Sequence, residues 1–376
     1  MPTIGIDYTP AYEQGGGIGR YVRDLMTALF LEDTLSSYRL FVAGAEKTQL
    51  LDPPASNVEW RPTPLTPRWL ARIWHRMAVP LPIETFTGRV DLFHATDFVL
   101  PPTLPSTRTI VQVHDLSFAR VPEAAAPRLK IYLDRVVPAS ARRAGHILAD
   151  SQATKDDLRE LYNIPAEKVT VLYGGVDSRF RPQPMTSQEM IRQKYNLDSF
   201  PFILSVGTVQ PRKNYERLIL ALADLRRQGS DIHLVIAGGR GWLDAPIYET
   251  VKSANVEAFV HFIGFADDED LPALYSAATC FAYPSLYEGF GLPVLEAMSC
   301  ETPVLTSNVS SMPEAAGEAA ILVDPLDTQS ISHELGRMIN DSQLQESLVS
   351  KGIEHVKTFS WQKSAQKLKE IYSKML

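Results

Sequence analysis

Short apolar runs recur along the chain at 3–7, 39–43, 91–94, 109–113, 146–149 and 168–172. Most are rich in Val, Ile or Leu and end at Gly, Asp or His, the pattern of buried parallel strands with loops at their carboxyl ends. Between them, apolar positions return every three or four residues at 18–31, 127–141 and 151–162, which predicts helices. Ser151 is a good N-cap for the last of these, with Asp156 and Asp157 early in the helix. The second half repeats the plan, with strands expected at 202–206, 233–237, 261–264, 280–283, 303–306 and 321–323. Helices are expected there at 214–227, 247–254, 271–278 and 294–300, and a final amphipathic helix at 361–376. Such alternation predicts an α/β chain with parallel sheets.

The length, 376 residues with 45% hydrophobic content, suits two domains. The stretch 174–184, with Gly174, Gly175, Pro182 and Pro184, reads as the linker. The expected division is an N-terminal domain at 1–178, a C-terminal domain at 179–360, and a last helix at 361–376 that crosses back to the first domain.

Charge narrows the partners. Residues 1–180 hold 20 basic and 20 acidic side chains, residues 181–376 hold 17 and 24, and the net charge is −7. An acidic whole argues against nucleic acid, while leaving room for an anionic ligand bound locally. Cys280 and Cys300 form no metal or disulfide pattern, and the first ten residues lack the charged and apolar regions of a secretory signal, so a cytoplasmic location is expected. No apolar run approaches the ~20 residues that span a bilayer. The stretch 60–82 has Arg61, Arg68, Arg72 and Arg76, no acid, and Trp60, Trp69 and Trp74 among five prolines. Two readings stand: an amphipathic helix covering the first sheet, or a surface helix that places the chain peripherally on an anionic membrane face.

The segment from Tyr283 to Ala297 carries the most chemistry. A strand ends at Tyr283, Gly289 and Gly291 allow a tight loop, and Pro293 begins a helix where its missing N–H costs nothing. Backbone N–H groups around Phe290–Val294 would then form a cradle for a diphosphate or for sugar hydroxyls without a metal. Glu288 and Glu296 flank it, and a carboxylate can accept two hydrogen bonds from vicinal hydroxyls. Arg212 and Lys213 follow a buried strand and precede a helix opened by Asn214, read as its cap; two cations there suit a pyrophosphate. His114 ends the run 109–113, at a carboxyl end where α/β ligands bind. Asp115 is read as fixing that imidazole or capping the loop. Asp267–Asp270 contains an Asp-x-Asp, but acids opening a helix are the ordinary explanation, and no metal is expected.

With Gly15-Gly16-Gly17-Ile18-Gly19-Arg20, His114-Asp115, Gly207-Thr208, Pro211-Arg212-Lys213-Asn214 and Ala237-Gly238-Gly239, this Glu-x7-Glu segment resembles the retaining glycosyltransferases of family 4 (GT4). The resemblance covers nearly the whole chain. It implies the GT-B fold: two Rossmann-like domains with parallel sheets facing across a cleft, the first binding acceptor and the second binding nucleotide sugar. It implies that Glu296 binds the donor ribose. Glu288 would hold hydroxyls of the transferred sugar, helped by the N–H groups of Phe290, Gly291 and Leu292. Lys213 and Arg212 would neutralise the leaving diphosphate, with His114 beside the sugar. Gly17 would let the first helix start approach the donor phosphate or the acceptor, Gly207, Gly238 and Gly289 would let backbone approach the donor, and the strand end at 262–264 would lie near the base. Thr208 stands where many relatives carry Arg, which places more weight on Arg212 and Lys213.

The segments around Lys213 and Glu288 look like bacterial mannosyltransferases of surface-polysaccharide assembly. The implied reaction is transfer of mannose from GDP-mannose to a glycan or lipid-linked acceptor, without cofactor or metal. UDP-glucose-type transfer, a sugar-nucleotide epimerase and a non-catalytic nucleotide-sugar binder are the alternatives. An NAD-dependent oxidoreductase fits poorly, because Gly15–Arg20 does not complete Gly-x-Gly-x-x-Gly and the second strand has no acid at its tip.

Overall fold

The protein is seen here in a computed structural model that describes residues 1–197 and 200–376. It forms two compact units. One comprises Met1–Leu116, Ile131–Gly175 and Ser360–Leu376; the other comprises Ser117–Lys130 and Val176–Phe359.

The first unit holds β1 (Thr3–Asp7), β2 (Ser37–Ala43), β3 (Val58–Thr63), β4 (Leu92–Ala95), β5 (Arg108–Val113), β6 (His146–Ala149) and β7 (Val169–Val171). They form a seven-stranded sheet in the order β3-β2-β1-β4-β5-β6-β7, parallel throughout. Central strands carry Ile4, Ile6, Ile110, Val111, Ile147 and Leu148 without exposure, because helices cover both faces of such a sheet. The crossover helix Gly17–Glu32 buries Val22, Leu25, Met26 and Leu29. Its entry is tight: a methyl group at Gly19 would stand 2.0 Å from the Gln14 carbonyl oxygen. The order reverses between β1 and β4, and ligands of open α/β sheets bind beyond the strand ends at such a switch point.

The last helix, Trp361–Met375, belongs to this unit. Trp361 packs edge-on to Tyr21 at 5.2 Å, and Ser364 donates to the Tyr173 carbonyl at 2.7 Å.

The second unit holds β8 (Phe202–Val206), β9 (His233–Ala237), β10 (Val260–Gly264), β11 (Cys280–Tyr283), β12 (Val304–Ser307) and β13 (Ala320–Val323). Their order is β10-β9-β8-β11-β12-β13, again parallel, with the switch between β8 and β11. Helices Thr328–Asn340 and Ser342–Val356 follow β13, each opened by an aspartate whose side chain caps it, Asp327 and Asp341.

The stretch 60–82 is not one helix. Trp60 lies in β3, an edge strand that also carries Pro62, where a missing N–H removes no needed ladder bond. The helix Pro67–Ala71 passes into a π turn at Arg72–Arg76. Of its apolar side chains only Leu70 is buried; Trp69 is 54% and Met77 66% exposed. Trp74 is half-buried and donates to the Leu81 carbonyl at 2.9 Å. An apolar stripe laid against the sheet is therefore not how this segment packs.

At the amino-terminal ends of β9 and β10, His233 Nδ1 and His261 Nε2 lie 2.8 Å apart, with Phe200 stacked on His233 at 3.8 Å. Burial, then the neighbouring His261 and Arg226, push the His233 ring down to about 4. A ring whose folded value lies below its ordinary 6.5 gives stability that is present above 6.5 and is lost as pH falls toward 4. Thermal unfolding at stepped pH should therefore show His233→Gln gaining on the wild type as pH falls from 6.5 to 4. A constant difference would mean the pair does not titrate with folding.

Candidate active site

The ends of β8 and β11 meet at the switch point of the second unit. After β8, Gly207 takes φ +152° and donates to the Ala237 carbonyl at 2.9 Å. The chain then makes one turn, Pro211–Lys213. Asn214 follows in the left-handed region at φ +61° and makes no side-chain cap bond. Its amide donates instead to the Pro284 and Pro325 carbonyls at 2.9 and 2.7 Å. The expected cap is thus a clamp that ties the β8 loop to those after β11 and β13.

Glu288 lies between the two cations. Arg212 Nη1 is 2.6 Å from Oε2 and Lys213 Nζ is 2.7 Å from Oε1. Arg212 also donates to the Tyr287 carbonyl at 2.7 Å, and Lys213 to the Tyr283 hydroxyl. Burial alone would raise the Glu288 carboxyl, but Arg212 and Lys213 bring it down to about 2. Arg212 and Lys213 therefore face each other across a protein carboxylate.

The loop carrying Glu288 is pinned by a segment that sequence reading passed over. Thr306 donates to the Tyr283 carbonyl, Ser307 to that of Ser285, and Ser311 to those of Glu288 and Phe290, all within 3.0 Å. Ser310 accepts the Glu288 N–H at 3.0 Å. The signal was the set of hydroxyl residues at the end of an apolar strand and just beyond it, Thr306, Ser307, Ser310 and Ser311.

Gly291 opens the helix Leu292–Ser299 at φ +113°. A methyl group there would stand 2.5 Å from Met312, so conformation and packing both require glycine. Gly289 and Phe290 precede it in the buried loop, and Leu292 is half-buried. The Val294 N–H is spent on the Gly291 carbonyl at 3.0 Å, so the expected cradle is narrower than 290–294. Glu296 is 3% exposed and accepts from the Tyr275 hydroxyl at 3.0 Å. A methyl at Gly238 would lie 1.9 Å from the Gly207 carbonyl oxygen, so the β8 and β9 ends touch through glycine.

Asp270 does not cap its helix. It pairs with Lys194 and accepts from the Tyr195 hydroxyl at 2.6 Å.

In the first unit, His114 follows β5 and is 4% exposed. Asp150, at the end of β6, holds Nδ1 at 2.8 Å, and the Thr96 carbonyl holds Nε2 at 2.8 Å. The partner of the imidazole is therefore Asp150, not the adjacent Asp115. Gly17 opens its helix with open space around it: nothing lies within 4 Å of a methyl placed there.

Residues 15–180 match the family described as Glycosyltransferase Family 4, and residues 187–355 match Glycosyl transferases group 1. O-antigen chain mannosyltransferase B of Escherichia coli is 31% identical over 360 residues, covering 92% of this chain and 93% of that protein. The chain belongs to glycosyltransferase family 4. Its sheets have the family's GT-B fold. Sucrose-phosphate synthase from Thermosynechococcus elongatus shares that fold with a TM-score of 0.78 at 21% identity, covering 100% of this chain and 99% of that one. Anabaena HepE in complex with UDP and glucose aligns with a TM-score of 0.75 at 20% identity, over 99% of each chain.

In this family 4 glycosyltransferase, Glu288→Ala would take the carboxylate from buried Lys213 and half-buried Arg212, and breaking a buried pair costs roughly 3–5 kcal/mol. Calorimetry at pH 7 should show a lower unfolding midpoint for the variant. The Glu288 contribution is present above its ordinary 4.5 and is lost as pH falls toward 2, so the two proteins should converge in acid. Equal midpoints at pH 7 would show the ion cluster to be energetically neutral.

Proposed function

We propose that the chain is a metal-independent, retaining hexosyltransferase that moves mannose from GDP-mannose to a glycan or lipid-linked acceptor. The single observation that carries the reading is the buried Arg212–Glu288–Lys213 cluster at the switch point, where fixed cations can take over the charge of a leaving diphosphate. The mannosyltransferase relative supports the choice of sugar. In the proposed reaction the bond from sugar C1 to the diphosphate oxygen breaks, and a bond from C1 to an acceptor hydroxyl oxygen forms on the same face. The leaving diphosphate takes the hydroxyl proton. Lys213 and Arg212 bind the diphosphate, Glu296 binds the ribose, and Glu288 with the N–H groups of Phe290, Gly291 and Leu292 holds sugar hydroxyls. Gly17, Gly207, Gly238 and Gly289 keep backbone close to the donor, and His114 lies beside the sugar.

A thermal-shift screen of GDP, UDP and ADP sugars tests the donor, since a ligand at 100 times its Kd adds about 2.7 kcal/mol. The screen should select GDP-mannose. With labelled donor, Lys213→Ala and Glu296→Ala should each lower kcat/KM roughly 10- to 100-fold, the range for one charged hydrogen bond. Asp268→Asn and Asp270→Asn should leave it unchanged, and EDTA should not inhibit. Activity lost to chelator and restored by manganese would overturn metal independence, and an inverted linkage by NMR would overturn retention.

We further infer reversible association of the first unit with anionic membrane through 67–79. Supporting this are exposed Trp69 and Met77, the Arg72 guanidinium 4.8 Å over the Trp69 ring, and exposed Arg68 and Arg76. Among the described residues no helix is long and apolar enough to cross a membrane. Each basic side chain near an anionic surface contributes about 1 kcal/mol. In vesicle co-sedimentation, binding should rise with anionic lipid, fall with salt, and drop when Arg68, Arg72 and Arg76 become Gln. A wild type that ignores anionic vesicles at low salt would refute the association.

A further inference from the structure

His114 is bonded in a way that fixes its protons. The Thr96 carbonyl oxygen can only accept, so Nε2, at 2.8 Å, carries a hydrogen. The Asp150 carboxylate oxygen 2.8 Å from Nδ1 also accepts, so Nδ1 carries one too. Asp150 is itself oriented: its other oxygen takes the Gln112 amide, and the same amide lies 3.3 Å from the Tyr21 hydroxyl, which donates to the Leu172 carbonyl at 2.8 Å. Gln112 and Asp150 are 1% and 5% exposed, so the arrangement is built into the sheet, on neighbouring strands β5 and β6.

We propose that Asp150, oriented by Gln112, is the positioning residue of the first unit's site and holds His114 as a cation at neutral pH, so that His114 acts on substrate by charge and not as a proton acceptor. The proposal rests on the reading above that places His114 beside the transferred sugar. With both N–H bonds spent inside the protein, the ring offers a ligand only its positive field and its C–H edge, which suit a hydroxyl or phosphate oxygen. A neutral imidazole in the same place would set one lone pair against an oxygen: Nδ1 against the Asp150 carboxylate or, in the other tautomer, Nε2 against the Thr96 carbonyl.

The surroundings favour the cation. Burial alone would lower the His114 ring, but Asp150, then Asp97, and the Thr96 carbonyl bring it up to about 9. From the loop after β4, half-buried Asp97 faces it; burial raises that carboxyl and His114 opposes the rise. From β4 itself comes His94, pushed down to about 3 by burial and by the charge on His114. From the helix Gly17–Glu32 comes the edge of Tyr21 at 5.5 Å, and beside Asp97 the ring of Phe98 at 5.5 Å. Thr154, from the helix after β6, donates to the His114 carbonyl at 3.3 Å. The carboxylate that sets the charge is Asp150, in direct contact.

The test has two arms on the full chain. In the first, 15N-histidine NMR of the wild type, with His114→Gln for assignment, should show the doubly protonated ring at pH 7.5. Signals of a neutral tautomer would overturn the proposal, and this arm needs no activity. In the second, kcat/KM is followed from pH 6 to 9 for wild type, Asp150→Asn and Asp150→Glu. The wild type should show no loss from His114 between pH 6 and 8. Asp150→Asn should lose activity about tenfold per pH unit above its own lowered imidazole value and recover in acid, and Asp150→Glu should restore the wild-type profile. A uniform loss at all pH values with an unchanged profile would make Asp150 merely structural and overturn the proposal. If Asp150→Asn fails to fold, the NMR arm on the wild type decides. A wild type with the charged ring but no sugar transfer from any donor would refute the function proposed above while leaving the assignment of Asp150 standing.

Discussion

The second unit is organised around one carboxylate between two cations. Taking Glu288, Arg212 and Lys213 out of water is costly, and their attraction offsets that cost only with close geometry and with the remaining polar atoms satisfied. Much of the local structure meets those demands. Adjacent β8 and β11 bring together side chains 75 residues apart in sequence. Asn214 ties the loops after β8, β11 and β13. The hydroxyls at 306–311 then hold the carbonyls of the Glu288 loop, so that backbone and charge are fixed together.

Such a cluster shapes what a ligand must do. A diphosphate approaching Arg212 and Lys213 competes with a carboxylate already in place at 2.6 and 2.7 Å. Its net gain is the difference between two anions in the same field, not the full attraction of one. In the proposed reaction the same exchange would free Glu288 to accept sugar hydroxyls.

Much of this was legible in the sequence, and the reasons differ from place to place. Central strands were plain because burial on both faces leaves continuous Val, Ile and Leu, as at 202–206 and 233–237. β3 was hidden because it lies at an edge, half-buried, with Glu59 and Pro62 interrupting its apolar character. Glu288, Arg212 and Lys213 could be named because glycine spacing and strand ends announce such loops, but their pairing with each other could not: it depends on which strands are neighbours. Asp150 escaped for the same reason. It follows β6, 36 residues from His114, while Asp115 is adjacent in sequence and only nominally suitable. The clamp at Asn214 defeated a local rule because its partners are carbonyls of distant loops, and tertiary bonds override a preference for capping.

The first unit places two buried histidines on adjacent strands in opposite states. His94 on β4 meets the Tyr372 hydroxyl of the last helix at 2.7 Å, and burial, with the charge on His114, keeps the ring neutral. His114 after β5 has Asp150, so the same burial strengthens an ion pair instead of abolishing it. Each state reinforces the other, since a second cation beside His114 would be repelled. The linkage signs are opposite. His94 gives stability that is present above 6.5 and is lost as pH falls toward 3, whereas the His114 contribution is complete below 6.5 and is lost as pH rises through 9. From these two rings, the unit gains most near 6.5, with the acid side of that window set by the burial of His94 and the alkaline side by Asp150 against His114.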